Sequence, residues 1–346
     1  MSDVVIVDST LRDGSHAIAH QFTAKNISDY SSGAEAAGIP LLVVGHGNGL
    51  GASSLQLGKS LLSDTKMLKV AKKKLKKTKL GVFLIPGFGT IKNDLEPAIA
   101  AGCEAVMVAS HCTEANIMRQ HIEYSVKKGL DTYGILMMSH MIGANELLEQ
   151  AKLVQQYGAS GVLLMDSAGA YLPENVTEKI EALVSGLEIG VGFHAHNNLG
   201  LAVANSISAV RAGAKILDCT TRGMGAGAGN SQLEVVVAVL LKMGYKLDLD
   251  LFKLMDNSEK IISKIAGPQV ISVTSLTSGL AGVFSGFAPH IRRASKKFGV
   301  DVRDILIELK KRKVVAGQED IIVDVALSLK KKKELKKEDY SIEALL

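Results

Sequence analysis

Eight short apolar, β-branched runs, each followed by a stretch with helical periodicity, are the feature that most limits what this chain can fold into. They span residues 4–8, 40–44, 80–85, 105–109, 132–138, 161–165, 190–194 and 216–220. Between them, residues 24–37, 117–128, 145–157, 173–184 and 201–212 are amphipathic and long enough for crossover helices. Gly38, Gly129, Gly158 and Gly213 stand where a helix C-terminus favours a left-handed residue. Strand-helix alternation predicts a parallel sheet, and eight repeats are the number that closes it into a (β/α)8 TIM barrel.

After the eighth run the helical segment 232–243 completes the last unit, and the alternation stops. Candidate helices at 251–265, 290–298, 302–313 and 318–333 then follow without intervening strands. The expected division is a catalytic barrel over 1–247, a C-terminal helical module over 248–330 and a lysine-rich tail over 331–346, charge-dense enough to fray.

Composition narrows the class. With 47% hydrophobic and 22% charged residues, the chain has the apolar surface for a packed core. No apolar run reaches the roughly 18 residues of a membrane span, and the chain opens on a strand-like run instead of a leader, so the expected place is the cytoplasm with no membrane partner. Cys103, Cys112 and Cys219 form no CxxC pair, which argues for buried thiols over a disulfide framework or a zinc site. The net charge of +5 gathers in lysine clusters at 72–79 and 310–337, while aromatic residues make up 4% with no Trp. Solvated helix faces fit that pattern better than a nucleic-acid surface.

In a barrel of this kind chemistry sits at the C-terminal ends of the strands. The first run ends in Arg12-Asp13-Gly14-Ser15-His16, which read alone is either a functional cluster or a surface turn with a local ion pair. The seventh ends in His194-Ala195-His196, and alternation along a strand turns both imidazoles to one side. Asp13 is the natural carboxylate to complete a three-ligand face with them, because barrel closure brings the first strand within two of the seventh. Further polar ends follow the second run at His46 and Asn48, the fourth at Ser110 and His111, the fifth at Ser139 and His140, and the sixth at Asp166 and Ser167. So many polar ends on one rim point to a binding mouth. The segment 223–228 fits the dinucleotide pattern G-x-G-x-x-G/A, but no parallel strand follows it to build a nucleotide-binding half. Its glycines are better read as letting a loop approach the site, with Asn230 offering a polar contact.

Asp8-Ser9-Thr10-Leu11-Arg12-Asp13-Gly14-Ser15-His16, Ser110-His111-Cys112-Thr113-Glu114, Leu136-Met137-Met138-Ser139-His140, His194-Ala195-His196, the glycine-rich segment closing on Asn230, and Gly317-Gln318-Glu319-Asp320 together resemble the 4-hydroxy-2-oxovalerate aldolases. These belong to a group of metal-dependent lyases that includes HMG-CoA lyase. The likeness runs from about residue 4 to about residue 330. It implies an aldolase that cleaves a 4-hydroxy-2-oxo acid to pyruvate and an aldehyde. It further implies metal ligands Asp13, His194 and His196 for Mn2+ or Mg2+, Arg12 steadying an enolate, His16 as base, and substrate contacts at Arg12, Ser167 and His194. Family members commonly work with an acylating aldehyde dehydrogenase, docked through the C-terminal helices; a homodimer through the same helices reads identically in sequence.

Three positions depart from the family pattern. Phe284 stands for Tyr, Val43 for Glu and Asn48 for Asp. Each change removes an ionisable group, which suggests an altered aldehyde or a preference for condensation. An acyl-transferring condensing enzyme on the same scaffold, and a non-catalytic metal-binding partner protein, are the alternative readings.

Overall fold

In the computed structural model, which describes residues 3–333, the eight runs close into a parallel barrel in sequence order. The strands are β1 (Val5–Asp8), β2 (Leu41–Val43), β3 (Lys79–Leu84), β4 (Ala105–His111), β5 (Asp131–Met137), β6 (Gly161–Asp166), β7 (Gly190–Ala195) and β8 (Ile216–Cys219). β8 pairs back onto β1, with Val5 opposite Ile216 and Val7 opposite Asp218. Alternation sorts the side chains into two layers. Val7, Leu41, Val43, Phe83, Met107, Ile135, Leu163 and Ile216 fill the barrel interior. Their chain neighbours, such as Ile6, Leu42, Val82, Val106 and Leu217, meet the surrounding helices. Each large aliphatic side chain buried in this way contributes about 1.5–3 kcal/mol.

The helical ring comprises α1 (Ala24–Ala37), α2 (Asp64–Lys72), α3 (Glu96–Ala100), α4 (Arg119–Lys127), α5 (Ala144–Gln156), α6 (Pro173–Gly186), α7 (Ala202–Arg211) and α8 (Leu233–Lys242). Local chemistry fixes their ends. On α1, Thr23 and Asn26 form a reciprocal capping box at the start, and Gly38 in the left-handed region closes the finish.

The remainder is α9 (Leu251–Lys260), α10 (Val273–Ala281), α11 (Ala288–Phe298), α12 (Val302–Lys311) and α13 (Glu319–Lys333). α9 packs on α1, and Leu254, Ile262 and Ala266 join the outer barrel core. From Ala281 onward a separate apolar core forms around Phe287, Ile291, Leu306, Leu309, Ile322 and Val325. α10 carried no sequence expectation: its Thr-Ser-Leu-Thr-Ser run favours helix poorly, and a capping box between Ser272 and Ser275, with burial of Thr274, Thr277 and Ser278, holds it instead.

Hydrogen bonds place this second core across the C-terminal mouth. Ser285 N donates to Ser167 O at 2.9 Å; Asn198 Nδ2 donates to Ser285 Oγ at 2.9 Å. Gln56 Nε2 donates to Glu319 Oε2 at 2.8 Å. All three barrel residues lie on loops after strands, so the module roofs the end where the polar residues gather. Most of the lysine-rich stretch expected at 331–346 lies outside the described residues. Among the described residues, no helix is long and apolar enough to cross a membrane.

Candidate metal centre

Asp13 leaves β1 on a short 3-10 turn, while His194 and His196 come from the end of β7 and the residue beyond it. Their ligand atoms all lie within 4.8 Å of one another, and all three residues are buried. His194 Nε2 and His196 Nδ1 have no hydrogen-bond partner. Buried polar atoms left unpaired are costly and uncommon, and a cation seated among them would relieve that cost. Two imidazole nitrogens and a carboxylate oxygen are a donor set suited to a divalent transition ion. The residues therefore fit the metal expected of them.

Arg12 lies alongside, 2% exposed. Its Nη1 is 3.1 Å from Asp13 Oδ1 and 3.3 Å from Gly47 O, and its guanidinium carbon stands 4.4 Å from the centre of the Phe83 ring. Burial alone would raise the Asp13 carboxyl, but Arg12 first, and then the imidazoles of His196, His16 and His194, hold it well below the usual carboxylate range. Asn230 Nδ2 also donates to Asp13 Oδ2, from the glycine-rich loop that the sequence placed near the site.

His16 Nε2 is 3.9 Å from Asp13 Oδ1. Burial drives its pKa below the ordinary value, with Asp13 acting in the opposite direction and Arg12 adding to the fall, so the ring is a neutral base near pH 7. It has room because residue 47 is glycine: a Cβ there would overlap the His16 ring. Behind His16, His20 and His46 stack with ring centres 3.7 Å apart. Burial, reinforced by the other imidazoles, lowers these two to about 2 and about 4 respectively.

Arg12, Asp13, His16 and His196 line one small cavity with Phe83, Met137, Met165 and Phe284. A second cavity of about 280 Å³ shares His16, Asn48 and Phe284 with it and extends beneath the C-terminal helices to His290, Arg293 and Glu319. Ser167 is not brought into the small cavity. It is fully buried, its Oγ accepting from Met138 N at 3.0 Å and lying 3.5 Å from Met165 O. Of the departing residues, Val43 is sealed in the interior core and Phe284 borders both cavities. Gly286 makes space for that phenyl ring, since a Cβ at 286 would come 2.5 Å from its Cε1.

Sequence reasoning missed Asp218. It lies on the inward face of β8, fully buried, with Oδ2 2.9 Å from His194 Nδ1 and 3.4 Å from Arg12 Nη2. The available signal was an acidic residue two positions after Ile216 in a strand that is otherwise apolar.

Known proteins resemble the chain along nearly its whole length. The HMGL-like family model matches residues 3–261, and the model of a DmpG-like communication domain matches residues 269–331. 4-Hydroxy-2-oxovalerate aldolase 2 of Salinispora arenicola is 53% identical over 94% of this chain and 93% of its own length. The 4-hydroxy-2-oxovalerate aldolase of Carboxydothermus hydrogenoformans is 51% identical over 94% of this chain and 97% of its own. Among solved structures, the carboxyl transferase domain of Rhizobium etli pyruvate carboxylase superposes with a TM-score of 0.79 at 14% identity, covering 97% of this chain and 61% of that one, a likeness of fold alone. With its barrel, its buried Asp/His/His group and relatives of about half-identical sequence along nearly its whole length, the chain belongs to the HMGL-like family and, within it, to the 4-hydroxy-2-oxovalerate aldolases.

Proposed function

We propose that the chain cleaves a 4-hydroxy-2-oxo acid to pyruvate and an aldehyde, with Asp13, His194 and His196 holding the metal, His16 as base and Arg12 as the anion-stabilising group. The observation that carries this reading is the meeting of all five residues at one end of a closed barrel, although Asp13 and His194 are 181 positions apart. A divalent ion at this site supplies Lewis acidity toward the 2-oxo group. Mn2+ suits two nitrogen donors and one oxygen somewhat better than Mg2+ does.

The chain's own groups do the rest. His16, neutral because it is buried, accepts the proton of the C4 hydroxyl. The C3–C4 bond then breaks, its electrons passing to C3 and the 2-oxo group, which gives the aldehyde and the enolate of pyruvate. Arg12 faces the developing negative charge, and protonation at C3 completes pyruvate. Ser167 joins the substrate contacts in this proposal, supported by its weakly engaged hydroxyl: Met165 O is a distant acceptor at 3.5 Å. The neutral Phe284 and Val43 fit an aldehyde, or a favoured direction, different from that of relatives carrying Tyr and Glu.

The communication-domain match supports an acylating aldehyde dehydrogenase as partner. The 280 Å³ cavity running from Phe284 to Arg293 beneath that module gives the aldehyde a path toward it. Three buried free thiols accord with a cytoplasmic setting.

Pyruvate release from 4-hydroxy-2-oxo acids of increasing chain length, with Mn2+, with Mg2+ and with chelator, tests the proposal. The expected result is metal-dependent turnover that Asp13→Ala abolishes. Stoichiometric metal binding without turnover of any acid would overturn it in favour of the condensing or non-catalytic readings.

A further inference from the structure

Buried carboxylates in this barrel fall into two kinds. Asp8 is satisfied locally, accepting from Thr10 N at 2.9 Å and from the Tyr30 hydroxyl at 2.6 Å. Asp218 is also fully buried, yet its close polar contacts are two residues of the site: His194 Nδ1 at 2.9 Å and Arg12 Nη2 at 3.4 Å. The same oxygen, Oδ2, serves both, while Oδ1 has no partner. A buried carboxylate is costly unless charged or hydrogen-bonding partners offset its desolvation, and here the partners at hand are a proposed metal ligand and the neighbouring cation.

We infer that Asp218 is a positioning residue that ties His194 and Arg12 into one unit and fixes the His194 ring with Nε2 toward the ion. The inference rests on the metal reading above and adds a role to a residue that reading does not use. The geometry gives the reason. His194 presents Nε2 toward Asp13, 4.0 Å from its Oδ2, so Nδ1 must carry the proton, and Asp218 Oδ2 is the acceptor beside it. The contact is oblique to the ring, outside the alignment of a formed hydrogen bond; such contacts commonly straighten when a site is filled. Charge balance points the same way. A dication with Arg12 and Asp13 alone carries two surplus positive charges in a buried site, and Asp218 reduces that to one.

Removing outer carboxylates of this kind typically costs about 10–100-fold in metal affinity. Titration with Mn2+, followed by the EPR signal of the free ion, should show one tight site in the wild type. Asp218→Asn should bind Mn2+ about 10–100-fold more weakly, with far-UV circular dichroism unchanged. Nitrogen-15 spectra of histidine-labelled protein before metal addition, with His194 assigned by its loss in His194→Gln, should show the Nδ1–H tautomer in the wild type and a mixture in Asp218→Asn. A wild type that binds no Mn2+ would overturn the metal reading and this inference together. Unchanged affinity in Asp218→Asn beside a binding wild type would overturn the inference alone. Should no Asp218 variant fold, the wild-type spectrum still decides, because His194 protonated at Nε2 is incompatible with the role.

Discussion

The small cavity at the barrel mouth has two unlike walls. On one side stand Arg12, Asp13, His16 and His196, with His194, Asp218 and Asn230 behind them, joined by hydrogen bonds and charge contacts. On the side of β3, β5 and β6 and the module stand Phe83, Met137, Met165 and Phe284. Under the proposed function the difference matches the two ends of a substrate. The polar wall suits the carboxylate and 2-oxo group, whose charge changes during cleavage, and the apolar wall suits the aldehyde end, which needs shape more than charge. Val43 extends the same contrast below the mouth, where the interior is apolar.

The largest expected break in this comparison is on the polar wall. His16→Ala should lower kcat for pyruvate release by about 10²–10⁴-fold, the usual worth of a general base, while leaving Mn2+ affinity within a few-fold. A loss of metal binding in parallel with activity would make His16 part of the metal's hold instead of the base. Away from both walls, Asp8 supplies a control in stability. Burial pushes its carboxyl up to about 6 from 3.8, against hydrogen bonds from Thr10 and Tyr30. A raised carboxyl pKa means the folded chain holds the proton more tightly than the unfolded chain. That advantage is present below the unfolded value and is lost as pH rises through the folded one. Between about pH 4 and 7 the wild type should lose about 2 kcal/mol of unfolding free energy that Asp8→Asn retains. Urea unfolding at the two pH values checks it, and parallel curves would refute it.

The smallest effect is expected on the apolar wall. Restoring Phe284→Tyr and Val43→Glu together should raise turnover of 4-hydroxy-2-oxo acids by up to about tenfold, the scale of one hydrogen bond to a charged group. Unchanged or lower turnover would mean that the apolar wall was not shaped by a change of substrate or direction.

How much of this was readable from sequence follows the same division. The strand runs announce themselves by period and composition, and Asp13, His194 and His196, which the fold brings together, were singled out because strand ends are where a barrel does chemistry. Asp218 escaped because its partners lie far off along the chain, 206 positions away in the case of Arg12, so neither spacing nor local pattern exposes it. α10 escaped for the opposite reason: its residues favour helix weakly, and tertiary burial with a serine capping box overrides that preference. Ser167 was legible as a strand-end hydroxyl, but its bond to Met138 N depends on where the fifth loop turns, which one sequence does not specify.

Gly47 makes the active site vulnerable at a position that carries no chemistry. Any side chain there would occupy the volume of the His16 ring, and Arg12 leans on the carbonyl of the same residue. One missense change at 47 would thus displace the His16 ring and disturb the Arg12 guanidinium together, with both residues still encoded. In a catalogue of inactivating variants, this glycine should stand beside Asp13, His194 and His196 themselves.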